Sequence, residues 1–189
     1  MAARGVAEDE LRQRVVARVH PEGPVSARVS SFPFLGRLLV SGTISRVEVS
    51  VRDLTVRGVT FASVGVDLRS VRIERDALVQ DRLVALRSIG HGTAVAEISG
   101  DEVSRLLGVP VVLEEGRARV RVGGTLVDVS AEMEGNTLRV RAGGVSLPAI
   151  EIPPLPLVSC VSGAEILPGR LRLTCDVDQV PLELKIRAS

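Results

Sequence analysis

The sequence predicts an α+β fold dominated by long antiparallel strands, and three observations carry that prediction. Residues 47–52 alternate without a break, Val47, Val49 and Val51 against Glu48, Ser50 and Arg52. A period of two marks a strand with one buried and one solvated side. Glycine-rich pairs, Gly123-Gly124 and Gly135-Asn136, punctuate the second half at hairpin spacing. Helical periodicity is confined to short stretches, too little to cover sheets of this length.

The elements follow in chain order. Residues 8–20 set Leu11, Val15, Val16 and Val19 on one stripe of a helix, which Pro21, Gly23 and Pro24 stop. Val25, Ala27 and Val29 alternate with Ser26, Arg28 and Ser30 as a first strand. Residues 31–54 are the most informative block. They open on a very apolar segment, 32–39, which holds two of the three Phe residues and is too short for a core helix. The alternating strand follows directly, until Asp53 breaks the pattern and Leu54 and Val56 resume it, so a bulge or bend is expected there. Residues 61–74 form a second long strand on Val64, Val66 and Leu68, and its pattern slips at Arg69-Ser70 before Val71 and Ile73. Residues 76–81 read as a link, and 83–99 as a strand interrupted by Gly90-His91-Gly92. Ser99 and Glu102 make a capping box for a short helix that Gly108 ends.

The second half is a run of strands at 111–114, 117–122, 125–134 and 137–142. Ala118, Val120 and Val122 point inward there, with Arg117, Arg119 and Arg121 outward. Residues 147–163 are apolar and proline-rich and suit neither a strand nor an unbroken helix. A hairpin of 170–177 and 180–187 closes the chain. The simplest organisation is a single domain, 1–189. It comprises an N-terminal helix (1–23), a long-strand half (24–109) with a short helix at 99–108, and a hairpin-rich half (110–189). The sheets either close on a packed aliphatic core or leave a cavity for an apolar ligand.

Composition narrows the function. The chain carries 24 basic and 23 acidic residues with no Trp or Tyr, which argues against nucleic acid as a partner. No stretch is long and apolar enough for a membrane-spanning helix. The first ten residues lack the apolar core of an export signal, so either the protein stays in the cytosol or an export segment has been removed. Cys160 and Cys175 flank Pro168-Gly169. They read either as two unrelated buried thiols or as a disulfide worth roughly 3 kcal/mol on the chain-entropy model.

Candidate chemistry is sparse. His20 falls at a helix end and His91 between two glycines, with no acid clustered near either, so neither a metal site nor a nucleophile–base pair is indicated. No GxSxG, HExxH or P-loop occurs. Asp101 and Glu102 suit a helix N-terminus, and Asp176 and Asp178 suit a turn better than a calcium site. No catalytic residue, metal or cofactor is assigned. The outward arginines 117, 119, 121, 139 and 141 are cations that anionic lipid headgroups attract, although rows of this kind are usually solvated strand faces.

The order of the parts resembles the LmeA family of phospholipid-binding envelope proteins of actinobacteria. The matching pieces are the N-terminal amphipathic helix, the FPFL segment at 32–35 with Gly36 ahead of a strand ending in Arg52-Asp53-Leu54, and the helix ISGDEVSRLLG at 98–108. The stretch IPPLPL at 152–157 and LPGRLRL at 167–173 complete the match. The resemblance implies a TULIP-like tube, a curved sheet wrapped around the N-terminal helix, that binds phospholipid or a related acyl lipid without catalysis. It implies work in the cell envelope or periplasmic space instead of the cytoplasm, in lipid transfer or presentation, with a membrane surface as a further partner. An exported protein also suits a Cys160–Cys175 disulfide. An acyl-chain groove would be lined by Phe32, Phe34, Leu38, Val47, Val49, Val51, Phe61, Val64, Val66 and Leu68, with Leu106, Leu138, Val140, Leu171 and Leu173. Its entrance would lie at Phe32, Phe34, Leu155 and Leu157. The alternative is a structural or adaptor domain with a packed core and no ligand.

Overall fold

A computed structural model describes residues 2–30, 42–73, 86–122, 124–142, 145–154 and 162–177. Helix α1 spans Ala2–Val19 and so begins well before Glu8. The alanines ahead of Glu8 are strong helix formers, although their small side chains add nothing to an apolar stripe. The stripe itself is narrower than the periodicity suggests. Val15 is buried and Leu11 and Val19 partly so, but Val16 is 45% exposed. His20 closes the helix with φ +47, its N–H donating to the Val16 carbonyl at 3.0 Å.

The remaining elements in order are β1 (Val25–Ser30), β2 (Thr43–Val56), β3 (Val59–Ile73), β4 (Leu86–Ser88) and β5 (His91–Ser99). After these come α2 (Gly100–Leu107), β6 (Val111–Glu114), β7 (Arg117–Val122), β8 (Thr125–Glu134) and β9 (Thr137–Ala142). The chain continues as β10 (Val145–Ser146), β11 (Ile150–Glu151), β12 (Gly163–Leu167) and β13 (Arg170–Val177). The strands form two sheets. The larger, a curled half-barrel, runs β1-β2-β3-β5-β13-β12 with β4 beside β3. The smaller runs β10-β9-β8-β7-β6 with β11 beside β9. All pairings are antiparallel. Strand β12 is absent from the sequence reading because its five residues, GAEIL, do not alternate. It forms the hairpin with β13 about Pro168-Gly169, and residues 180–187 lie outside the described residues.

The β2–β3 hairpin is the spine of the large sheet. Arg57 and Gly58, both with positive φ, make its two-residue turn, the geometry that matches strand twist. The expected irregularity at Asp53 is a bend and not a bulge. Arg52 faces Ser63 and Leu54 faces Phe61, so neither strand gains a residue. Asp53 instead takes φ +50, and beyond it the buried set moves from Val47, Val49 and Val51 to Leu54. Ser70, with φ +52, does the same on β3, between Leu68 and Val71. At each place both strands switch faces together. The α1–β1 link packs on the first bend: Glu22 N–H donates to the Asp53 carbonyl, and Gly23 lies so close to Arg52 that a Cβ would sit 2.5 Å from its carbonyl oxygen.

Helix α2 joins the sheets. Ser99 Oγ accepts from Glu102 N–H at 3.2 Å and Gly108 closes the helix at φ +69, as the sequence predicts. The Glu102 carboxylate departs from a standard capping box. It accepts from Thr60 N–H on β3 at 2.7 Å, while Arg105 clasps both of its oxygens and donates to the Gly58 carbonyl. Ser104 Oγ accepts from Val111 N–H at 2.9 Å, which ties β6 to the same helix. Val103 and Leu107 are buried in the common core.

Loss of the cap in Ser99→Ala is expected to cost about 1 kcal/mol. Glu102→Ala should cost more, because it also leaves the half-buried Thr60 N–H without its acceptor. Urea unfolding followed by circular dichroism measures both.

Candidate functional site

The inward face of the large sheet is one continuous aliphatic surface. Register aligns Val25, Val51, Val64, Ala96 and Leu173 in one row across five strands. Ala27, Val49, Val66, Ala94 and Cys175 form the next, and Val29, Val47, Leu68, Gly92 and Val177 a third. Strand β5 carries the small residues, so a lane of Gly92, Ala94 and Ala96, all three buried, runs between the bulkier β3 and β13. Leu68 reaches over its Gly92 end, where a Cβ would meet Leu68 Cδ2 at 2.7 Å.

Most of the groove residues expected from sequence meet on this face. Val47, Val49, Val51, Phe61, Val64, Val66, Leu68, Leu171 and Leu173 are all buried on the large sheet. Phe61 stands at the end that α2 closes. Leu138 and Val140 are also buried but belong to β9 of the smaller sheet, which contributes to the same core. Leu106 is only partly buried, and the helix residues that enter the core are Val103 and Leu107. Phe32, Phe34, Leu38, Leu155, Leu157 and Cys160 lie outside the described residues, as does Asp178. Cys175 is 2% exposed on β13.

The opposite face of the sheet is polar, and its central row is made of small side chains: Ser26, Ser50, Gly65 and Val95. These floor a trough with a volume of 520 Å³, with Arg28, Glu48, Asp67 and Thr93 along one wall. Its carboxylates are committed. Arg46 holds Asp67 through two hydrogen bonds, 2.8 and 2.7 Å, and reaches Glu48 at 3.0 Å. On the far side Glu97 accepts from Arg170 at 3.0 Å and from Arg172 at 3.0 and 3.1 Å. Sequence reading missed the trough because it exists only once four strands are in register.

These pairs set the electrostatics. The Arg46 hydrogen bonds hold Asp67 below the ordinary carboxylate range. Burial pushes Glu97 up, and the hydrogen bonds from Arg172 and Arg170 outweigh it, leaving that carboxyl low as well. Arg105, assisted by Thr60 N–H, lowers Glu102 against the opposing effect of burial. Among the described residues no group of three or more His, Cys, Asp or Glu is arranged to hold a metal ion, and no helix is long and apolar enough to cross a membrane. His91 is exposed on the polar face, with Arg69 as its cross-strand neighbour.

An aliphatic half-barrel without acid–base machinery among its described residues suits the containment of hydrocarbon. The family model for LmeA-like phospholipid-binding proteins matches residues 1–188. The chain belongs to the LmeA-like phospholipid-binding family. No curated protein and no solved structure matches it. The family description makes phospholipid the ligand class of this LmeA-like family, and among the described residues the inward face of the large sheet is a continuous aliphatic surface.

The depressed carboxylates predict the response to acid. Each has a folded-state pKa below its unfolded value of about 4, so its stabilisation is in place above that value. It is lost as pH falls toward the lower folded pKa. Urea unfolding should show stability unchanged from neutrality to about pH 5 and a decline below it. Asp67→Asn should flatten that decline.

Proposed function

We propose that this protein binds phospholipid, or a related acyl lipid, along the inward face of its large sheet, and transfers or presents that lipid in the cell envelope without catalysis. The family match over 1–188 carries the ligand class, and the continuous aliphatic face with its Gly92–Ala94–Ala96 lane supports the location. Each buried methylene contributes roughly 0.8 kcal/mol, so acyl chains bind tightly with few polar contacts. In this reading the curled sheet and α1 are parts of a TULIP-like tube, with the entrance at Phe32, Phe34, Leu155 and Leu157. Its placement in the periplasmic space rests on the same family reading, and a Cys160–Cys175 disulfide accords with it.

One observation favours the second reading, a structural domain with a packed core: Val51, Phe61 and Val71 on this face are fully inaccessible. A single variant separates the two. Ala94→Leu/Ala96→Leu fills the lane. If the lane holds lipid, native mass spectrometry should show phospholipid on the wild type, markedly less on the variant, and a nearly unchanged melting temperature. In a packed core the added volume costs roughly 1–3 kcal/mol per site, and the wild type carries no lipid. A wild-type protein that neither co-purifies with phospholipid nor takes it up from vesicles would refute lipid binding.

The disulfide has its own test. Protein exported to an oxidising compartment should show no reactive thiol when denatured without reductant, and both cysteines reactive after reduction.

A further inference from the structure

Register places basic residues side by side on the polar face at the end of the large sheet away from α2. Arg46 on β2 lies directly opposite Arg69 on β3, which lies opposite His91 on β5. Arg72 follows on the same strand beyond the Ser70 bend, paired with Ser88, and on β4 the exposed Arg87 sits at a bulge between Ser88 and Leu86, which face Arg72 and Ile73. Arg28 extends the group onto β1, where it lies opposite Glu48 without an ion pair to it. Like charges facing one another across strands destabilise a sheet. Asp67 relieves the central pair, since its carboxylate lies 2.7 Å from Arg46 and 3.7 Å from Arg69. Glu48 takes only Arg46. Among the described residues Arg28, Arg72 and Arg87 have no ion-pair partner, and the five arginines here stand against Glu48, Asp67 and, on β13, Asp176, so the described residues of this end carry a surplus of positive charge in a chain whose net charge is +1. The outer face of the small sheet has no such surplus. Its Arg119 pairs with Glu114 and its Arg139 with Glu134, while Asp128 and Glu132 stand between these arginines.

We propose that this arginine patch is where the protein docks on the surface of a bilayer containing anionic phospholipids. The cations are spread over neighbouring strands about 5 Å apart, an array that suits many phosphates in a plane and not one small anion. Among its described residues the patch carries no Phe, Tyr or Trp on which nucleic-acid bases could stack, His91 being its one ring. Anionic headgroups attract basic side chains within about a Debye length, roughly 10 Å at 0.1 M salt, so docking of this kind is salt-dependent. The inference rests on the phospholipid-binding reading, since a protein that takes lipid from a bilayer must first reach it.

Co-sedimentation of the full chain with phosphatidylcholine vesicles, with and without phosphatidylglycerol, tests the proposal. Wild type should bind the phosphatidylglycerol vesicles and lose them as salt rises. Each neutralised arginine should weaken binding about five-fold, so Arg69→Gln/Arg72→Gln/Arg87→Gln should lose on the order of 100-fold. Arg139→Gln/Arg141→Gln on the small sheet should bind as wild type. Unchanged melting temperatures confirm that folding is not the cause, and Arg72→Gln/Arg87→Gln, which breaks no ion pair, serves if the triple variant is unstable. The proposal is overturned if wild type does not distinguish the two vesicles, if the patch variants bind as wild type, if the small-sheet variant loses as much, or if duplex DNA is bound and vesicles are not. Binding of a monomeric short-chain phospholipid, measured alongside, separates the two ideas. Retained short-chain binding without vesicle discrimination refutes the docking patch alone, whereas no short-chain binding by wild type refutes the lipid-binding reading itself.

Discussion

The two coordinated face switches along the β2–β3 hairpin are the constraint on which the rest of the structure depends. In a strand of period two, a slip of one residue sends every later side chain to the other face. At Asp53 and Ser70 a single residue in the left-handed region makes that change without altering the register, and the facing strand follows. Leu54 and Phe61 at one end, and Ile44 and Val71 at the other, thereby share the core with the valines between them. Without the first switch α2 would meet a polar surface; without the second, Ile44 and Val71 would face solvent. Neither residue is glycine, so each bend carries conformational strain that the surrounding ladder and core must offset.

The α2 end of the half-barrel is closed by polar contacts as much as by packing. Glu102 bridges the helix to Thr60, Arg105 extends the bridge to Gly58, and Ser104 ties in β6. Gly100 N–H donates to the Gly169 carbonyl, and Gly169 N–H to that of Leu113, so the β12–β13 turn is fastened at the same point. One short helix thus fixes the hairpin tip, the turn and the edge of the second sheet to each other. Among the described residues the aliphatic face is therefore closed over at this end.

Much of this was legible in the sequence where the determinants are local. Alternation located β1, β2, β3 and β6 to β9, Ser99 and Gly108 bounded α2, and the breaks at Asp53 and Arg69-Ser70 were visible as lapses in period. What was not legible depends on partners distant in the chain. Val16 fits the helical stripe as well as Val15 does, and only docking of α1 beside β1, with Glu8 accepting from Val29 N–H at 2.8 Å, decides which of them is buried. Glu102 reads as half of a capping box because Ser99 is near in sequence, whereas its partner Thr60 is far away. Strand β12 has no alternation to detect and is a strand because β13 offers it an edge.

Charge shows the same limit more sharply. The consecutive arginines of β7 and β9 are the conspicuous cationic feature of the sequence, yet register sets them among Glu114, Asp128, Glu132 and Glu134. Arg28, Arg46, Arg69, Arg72 and Arg87 are scattered along the chain and attract no notice there. The sheet gathers them because the strands carrying them are neighbours and because the Ser70 switch keeps Arg69 and Arg72 on one side while Val71 turns inward. The bend that completes the aliphatic core therefore also assembles the cationic surface behind it, and the two faces of the sheet are not independent features. A backbone change at Ser70 that restored simple alternation would expose Val71 and bury Arg72 in one step, which ties the apolar face and the basic patch to the same local geometry.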